Sequence, residues 1–130
     1  YENYEATPKQ RREKWLELHK QYEPHLKFDE LEYYKEGLRW FAQAHIFNSP
    51  FYYIDYTLAQ VCAFQFKNMM DVDKEKAWNT YVKLCKLGGS KSFLNLLKEV
   101  GLKNPFLDGC IASVMKPLQE KMNSIDDTKF

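Results

Sequence analysis

Residues 49 to 66 read Ser49-Pro50-Phe51-Tyr52-Tyr53-Ile54-Asp55-Tyr56-Thr57-Leu58-Ala59-Gln60-Val61-Cys62-Ala63-Phe64-Gln65-Phe66. Aromatic and β-branched side chains alone would suit a strand. However, the run from Phe51 to Phe66 contains no turn signal and exceeds ordinary strand length. Ser49 followed by Pro50 has the form of an N-cap and first helical residue. Only Asp55, Gln60 and Gln65 are strongly polar, so the stretch is expected to be a helix, apolar nearly all round, central and buried.

The flanking sequence carries further helix signals. Thr7-Pro8-Lys9-Gln10 holds an N-cap, a first-turn proline and the partner of a capping box, and Trp15, Leu18 and Tyr22 then form one apolar stripe ending before Pro24. The charged positions Arg11, Arg12, Glu13 and Lys14 read as a solvated face. A second helix is expected from about Asp29 to Phe47, with Leu31, Tyr34, Leu38, Phe41 and His45 on one face. Asp73 caps a fourth, which carries Ala77, Trp78, Tyr81, Val82, Leu84 and Cys85 and stops at Gly88-Gly89. A short fifth follows Ser90, carries Phe93, Leu94, Leu96, Leu97 and Val100, and stops at Gly101. The last starts near Asp108, presents Ile111, Val114, Met115, Leu118 and Met122, and should kink at Pro117, with a frayed tail from Ser124 to Phe130. The reading is a single all-α domain of about six helices.

Composition narrows the function. The 130 residues are one domain's length, 45% hydrophobic and 28% charged, enough for a core without metal or disulfide staples. Nineteen basic against 18 acidic side chains leave a net charge of +1, which gives no reason to expect nucleic acid or an anionic membrane. No apolar run approaches a membrane span, and nothing resembles a signal peptide. Cys62, Cys85 and Cys110 are odd in number and widely spaced, so they read as three buried thiols in a reducing, cytoplasmic setting. The chain opens at Tyr1 rather than Met, as a piece of a longer protein would.

A self-contained active site is hard to find. The paired glycines Gly88-Gly89 follow a helix instead of preceding one, so they make no phosphate loop, and His19, His25 and His45 lie apart with no His-Glu-x-x-His pair. The notable cluster is His45 with Tyr52, Tyr53, Asp55 and Tyr56. Tyr53 and Tyr56 are three apart, so on one helix both hydroxyls emerge on one face. Two readings fit these residues. Either the tyrosines are core side chains bonded to nearby carbonyls, or they form a wall of donors suited to a carbonyl oxygen turning anionic.

Trp40 and the block from His45 to Gln60 closely resemble the C-terminal region of oligoendopeptidase F, in the thimet-oligopeptidase-like family of zinc metallopeptidases. Ala77-Trp78, Tyr81, Leu87-Gly88-Gly89-Ser90, Phe93, Leu97, Gly101-Leu102 and Pro105-Phe106 continue the resemblance, from about Thr7 to Leu118. It implies a mostly helical enzyme that cuts short peptides in an enclosed channel. Its zinc is held by a His-Glu-x-x-His helix and a further glutamate. By position His45 matches the family histidine and Tyr53 and Tyr56 the tyrosines after it, Tyr56 being the oxyanion donor; a one-residue gap lets Tyr52 replace Tyr53. The zinc motif is absent from this chain, so the resemblance implies a C-terminal fragment carrying the substrate-binding half of the site and inert alone. Its partners would be oligopeptide substrates and the N-terminal remainder of the peptidase. The alternative is a non-catalytic helical interaction module of the same descent. A piece cut from a larger helical protein is expected to bare aromatics among Phe47, Tyr52, Tyr53 and Tyr56 and to self-associate. Three dispersed histidines and three apolar-flanked cysteines make no tetrahedral set, so calorimetry of the isolated chain should detect no stoichiometric zinc binding; tight one-to-one uptake would contradict this.

Overall fold

The computed structural model describes residues 3–27, 31–126 and 128. Among these every regular element is helical, as the all-α reading requires. The chain forms two compact units, residues 1–53 and 54–130, each taken separately below.

The first unit opens with α1, Pro8–Tyr22. The Thr7 hydroxyl accepts from the Gln10 amide at 3.3 Å, and the Gln10 Oε1 accepts from the Thr7 amide at 2.8 Å, so the capping box is complete. The charged face of α1 is more than solvated surface. Arg11 donates back to the Ala6 and Tyr4 carbonyls at 2.9 and 3.2 Å, and Arg12 lies 3.6 Å from Glu36.

The expected long second helix does not form. Its proposed start, Asp29, lies outside the described residues. The rest is α2 (Glu32–Lys35), a 3-10 turn (Arg39–Ala42) and α3 (Ala44–Asn48). Gly37 is the reason. It sits at φ +73°, its amide donates to the Tyr34 carbonyl and the Leu38 amide to that of Tyr33, which is the Schellman ending of a helix. The three- and four-residue spacing of Leu31, Tyr34, Leu38, Phe41 and His45 ran straight across this stop. His45 therefore lies on a five-residue helix instead of the face of a long one.

The third expected helix also starts late. Ser49 and Pro50 form a turn: the Tyr52 amide donates to the Ser49 carbonyl at 3.1 Å and Phe51 takes φ +67°. Proline followed by a positive φ is the pattern of a type II turn, and a left-handed residue cannot continue a helix. Accordingly α4 runs from Ile54 to Val72, later at both ends than read. Nor is it covered all round. Val61, Cys62 and Gln65 are its buried positions, while Ile54 and Tyr56 in the first turn are exposed.

In the second unit α4 packs on α5 (Lys74–Leu87) and α7 (Cys110–Asn123), and α5 packs on α6 (Phe93–Val100). Asp73 caps α5 by accepting from the Lys76 amide at 2.9 Å. α6 ends in a second Schellman motif at Gly101, φ +73°, with the Leu102 amide donating to the Leu97 carbonyl at 2.9 Å. That motif folds Leu102 onto Leu97, and both join Cys62 and Val100 in the core. Gln65 closes the structure over them: its Nε2 donates to the Lys103 carbonyl at 3.1 Å and its Oε1 accepts from the Lys103 amide at 2.7 Å. Pro117 sits inside α7 and withholds the N–H that the Ser113 carbonyl would accept. One residue on, the Val114 carbonyl accepts from Asn68 Nδ2 of α4 at 2.8 Å. Lys91, in the connection between α5 and α6, donates to Glu99, and that hydrogen bond, with the charges of Lys91 and Lys83, holds the Glu99 carboxyl below its usual range. Of the expected frayed tail, Asp127, Lys129 and Phe130 lie outside the described residues.

Two predictions follow from the backbone and the thiols. A Cβ on Gly37 would stand 2.5 Å from the Arg12 carbonyl oxygen, whereas one on Gly101, at the same φ, meets nothing within 4 Å. Gly101→Ala should therefore cost only the left-handed penalty, about 1–2 kcal/mol, and Gly37→Ala clearly more in urea unfolding; equal losses would show that α1 yields freely. The reading of three buried thiols is corrected at Cys85, which is exposed on α5, while Cys62 and Cys110 are buried. Burial, and secondarily Cys110, pushes the Cys62 thiol up. One cysteine per native chain should react promptly with a thiol reagent and all three after denaturation; Cys85→Ser should remove the prompt fraction.

Candidate functional site

His45 occupies the second position of α3, and two aromatic contacts hold that short helix. Trp40, from the preceding 3-10 turn, packs against Phe41 at 4.3 Å and stacks on Phe47 at 5.6 Å and 20° between ring planes. Because Phe47 is two residues from His45, this stack fixes the turn from which His45 projects. Phe41 and Phe47 also approach to 6.2 Å. Such pairs contribute about 0.5–1.5 kcal/mol each beyond their buried area, enough to order a helix too short to stand alone.

The 49–52 turn then returns the chain so that both following tyrosines meet His45. The imidazole stacks on Tyr53 at 5.2 Å and 19°, and on Tyr52 at 5.8 Å and 27°. Face-to-face packing fixes a ring's plane while its N–H or O–H group stays at the edge, where hydrogen bonds form. Tyr52 and Tyr53 are half exposed, at 47% and 48%. The structure thus brings together three of the four residues singled out in the sequence, in one unit and by contacts within it.

The fourth, Tyr56, lies in the first turn of α4 in the other unit and is 53% exposed. The expectation that Tyr52, Tyr53 and Tyr56 share one helix is corrected here. Tyr52 and Tyr53 precede Ile54, where α4 begins, so the three-residue spacing of Tyr53 and Tyr56 carries no helical meaning. What places Tyr53 is its stack on His45. Asp55 takes the acidic place favoured in the first turn of α4. Phe47 is also exposed, so all four aromatics named as candidates for a bare surface are accessible.

Two features of this region had no sequence signal. Glu23, just past α1, reaches Arg39 of the 3-10 turn, 16 residues away, at 3.2 Å. The same carboxylate oxygen lies 2.9 Å from Nδ1 of His19, which is only 7% exposed. Gly37, by contrast, was visible as a glycine inside an apolar repeat, and that break outweighs the repeat.

A metal finds no home in these residues. Among those described, no three His, Cys, Asp or Glu side chains lie together as the ligand set a zinc ion needs. The second unit holds a cavity of about 390 Å³ walled by Met69, Val72, Leu102, Val114 and Pro117, with Gln65 and Asn68 at its edge. Gln65 is already committed at both ends to Lys103, and Asn68 Nδ2 to Val114. No helix among the described residues is long and apolar enough to cross a membrane.

No family model and no curated protein matches this chain. Solved structures do. An oligoendopeptidase F structure is 45% identical over 100% of this chain, with a TM-score of 0.88, and the match covers 23% of that protein. Pz peptidase A, solved with an inhibitor, is 44% identical over 98% of the chain, with a TM-score of 0.86, again covering 23%. An oligoendopeptidase F from Bacillus anthracis str. Ames is 42% identical over 100% of the chain, with a TM-score of 0.72, covering 20%. The chain thus spans about a fifth of the length of the proteins it matches. Identity above 40% sustained from end to end, on the same helical fold, makes this chain similar along its whole length to one segment of oligoendopeptidase F.

Proposed function

We propose that the chain is the C-terminal, substrate-binding part of a zinc metalloendopeptidase that hydrolyses short peptides. The observation that carries this reading is the identity of 42–45% to oligoendopeptidase F structures over essentially the whole chain. The stacking of His45 with Tyr52 and Tyr53 supports it, since it gathers potential donors at the residues where the resemblance is densest. In this reading the zinc and the base that activates water are supplied by the remainder of the peptidase; among the described residues of this segment no three ligand side chains lie together. Without that remainder the segment has nothing to generate a nucleophile and is inert. Three free cysteines are in keeping with a reducing compartment, and the cytoplasm is the proposed location.

In this reading His45 and Tyr53, with Tyr52 as the alternative to Tyr53, hold the peptide carbonyl next to the scissile bond. Tyr56 donates its hydroxyl proton in a hydrogen bond to the carbonyl oxygen as that oxygen gains charge in the tetrahedral intermediate. A donor aimed at developing charge stabilises the transition state more than the bound substrate, so its effect falls on turnover. Donors to a neutral carbonyl act on binding as well as on turnover.

The test uses a full-length peptidase carrying this segment. Tyr56→Phe removes one hydroxyl and little volume, and should lower kcat by about 10²–10³ with KM, zinc content and Tm little changed. His45→Ala and Tyr53→Phe should be milder in kcat, with a larger share of the loss in KM. Near-normal kcat in Tyr56→Phe would make that tyrosine a structural residue and remove it from the proposed site.

A further inference from the structure

His45 stands on a helix too short to place itself, so its position depends on what anchors the chain before it. Residues 36 to 40 are tied to α1 at three points. Arg12 pairs with Glu36 at 3.6 Å. Gly37 lies so close over the Arg12 carbonyl that no Cβ fits. Arg39 donates to Glu23 Oε2 at 3.2 Å, its guanidinium also lying 6.0 Å from the centre of the Tyr34 ring.

The third tie differs from the other two. The Arg12 and Glu36 side chains stay 36% and 58% exposed and, among the described residues, pair only with each other, and such a pair contributes little. The Glu23 oxygen that accepts from Arg39 is also 2.9 Å from buried His19, so one carboxylate joins the end of α1 to the 3-10 turn through two partners. Trp40 is the next residue, and its stack on Phe47 carries the constraint into α3 and so to His45. The path from Glu23 runs through Arg39, Trp40 and Phe47 to His45, entirely inside one unit.

We propose that Glu23 is a positioning residue for His45, acting through Arg39 and the Trp40–Phe47 stack; this rests on the substrate-binding role proposed for His45. Glu23 touches neither substrate nor reacting atoms in this scheme. It keeps the His45 ring in register with Tyr52 and Tyr53, and small misplacements of a binding group are costly to rate.

The test is a double-mutant cycle in a full-length peptidase carrying this segment. Glu23→Ala should lower kcat/KM about tenfold, and Glu23→Gln, which keeps an oxygen acceptor for Arg39, should lose less. In a His45→Ala background Glu23→Ala should cost under about twofold, because what it positions is already gone. Glu17→Ala, which breaks the exposed Lys14–Glu17 pair on the same helix, should leave activity unchanged. The proposal is overturned if Glu23→Ala keeps full kcat/KM while His45→Ala does not. It is equally overturned if the two losses multiply in full, since that is the mark of a general structural role. If His45→Ala itself leaves kcat/KM unchanged, the proposed role of His45 falls and this inference with it.

Discussion

The approach of Gly37 to the backbone of α1 is the constraint on which the first unit rests. A helix that ends there must turn the chain, and only a residue without a Cβ can turn it at φ +73° against the Arg12 carbonyl. The consequences follow in order along the chain. Residues 36 to 39 lie on α1, Arg39 meets Glu23, Trp40 meets Phe47, and a five-residue helix that would not persist alone holds a histidine in a defined place. A continuous helix over the same residues would have carried His45 away from the 49–52 turn that brings the tyrosines to it.

The second unit solves the matching problem with a similar device. Gly101 ends α6 in the same geometry as Gly37, but in open space, so its role is the turn itself. The turn places Leu102 against Leu97 and presents the Lys103 backbone to Gln65. A buried amide costs stability unless both its ends are paired, and here both are, by one residue's N–H and C=O. Gln65 is one of three strongly polar residues in the run from Phe51 to Phe66. It is the lock that joins α4 to the chain leaving α6. Asn68 acts likewise one turn later, on a carbonyl beside the one that Pro117 leaves without its helical donor.

The candidate residues divide between the two units. His45, Tyr52 and Tyr53 are assembled by local folding, whereas Tyr56 begins the helix that organises the other unit. Tyr56 is exposed in the first turn of that helix, whose buried positions begin further along, at Val61. Within the first unit, Phe51 holds a positive φ at a cost of order 1–3 kcal/mol, in the turn that brings Tyr52 and Tyr53 to His45.

What the sequence determined by itself was the helical class, the capping box at Thr7 and Gln10, and the caps at Asp73 and Gly101. All of these depend on neighbours within a few positions, or on a local run of residue types. Tertiary structure decided the rest. Leu31 to His45 kept a helical period, yet Gly37 broke it, because the stop gains its value from α1 lying against it. Ser49-Pro50 had the form of a helix start, yet the positive φ at Phe51 made it a turn, and that turn set Tyr52 and Tyr53 on the His45 ring. Cys85, expected to be buried, and Tyr56, on a helix expected to be buried, are exposed, since burial depends on which elements pack opposite. Glu23 and Arg39, 16 residues apart and ordinary in composition, became partners only through the fold. Local backbone chemistry is written in short stretches of sequence, whereas which faces meet is a property of the packed chain.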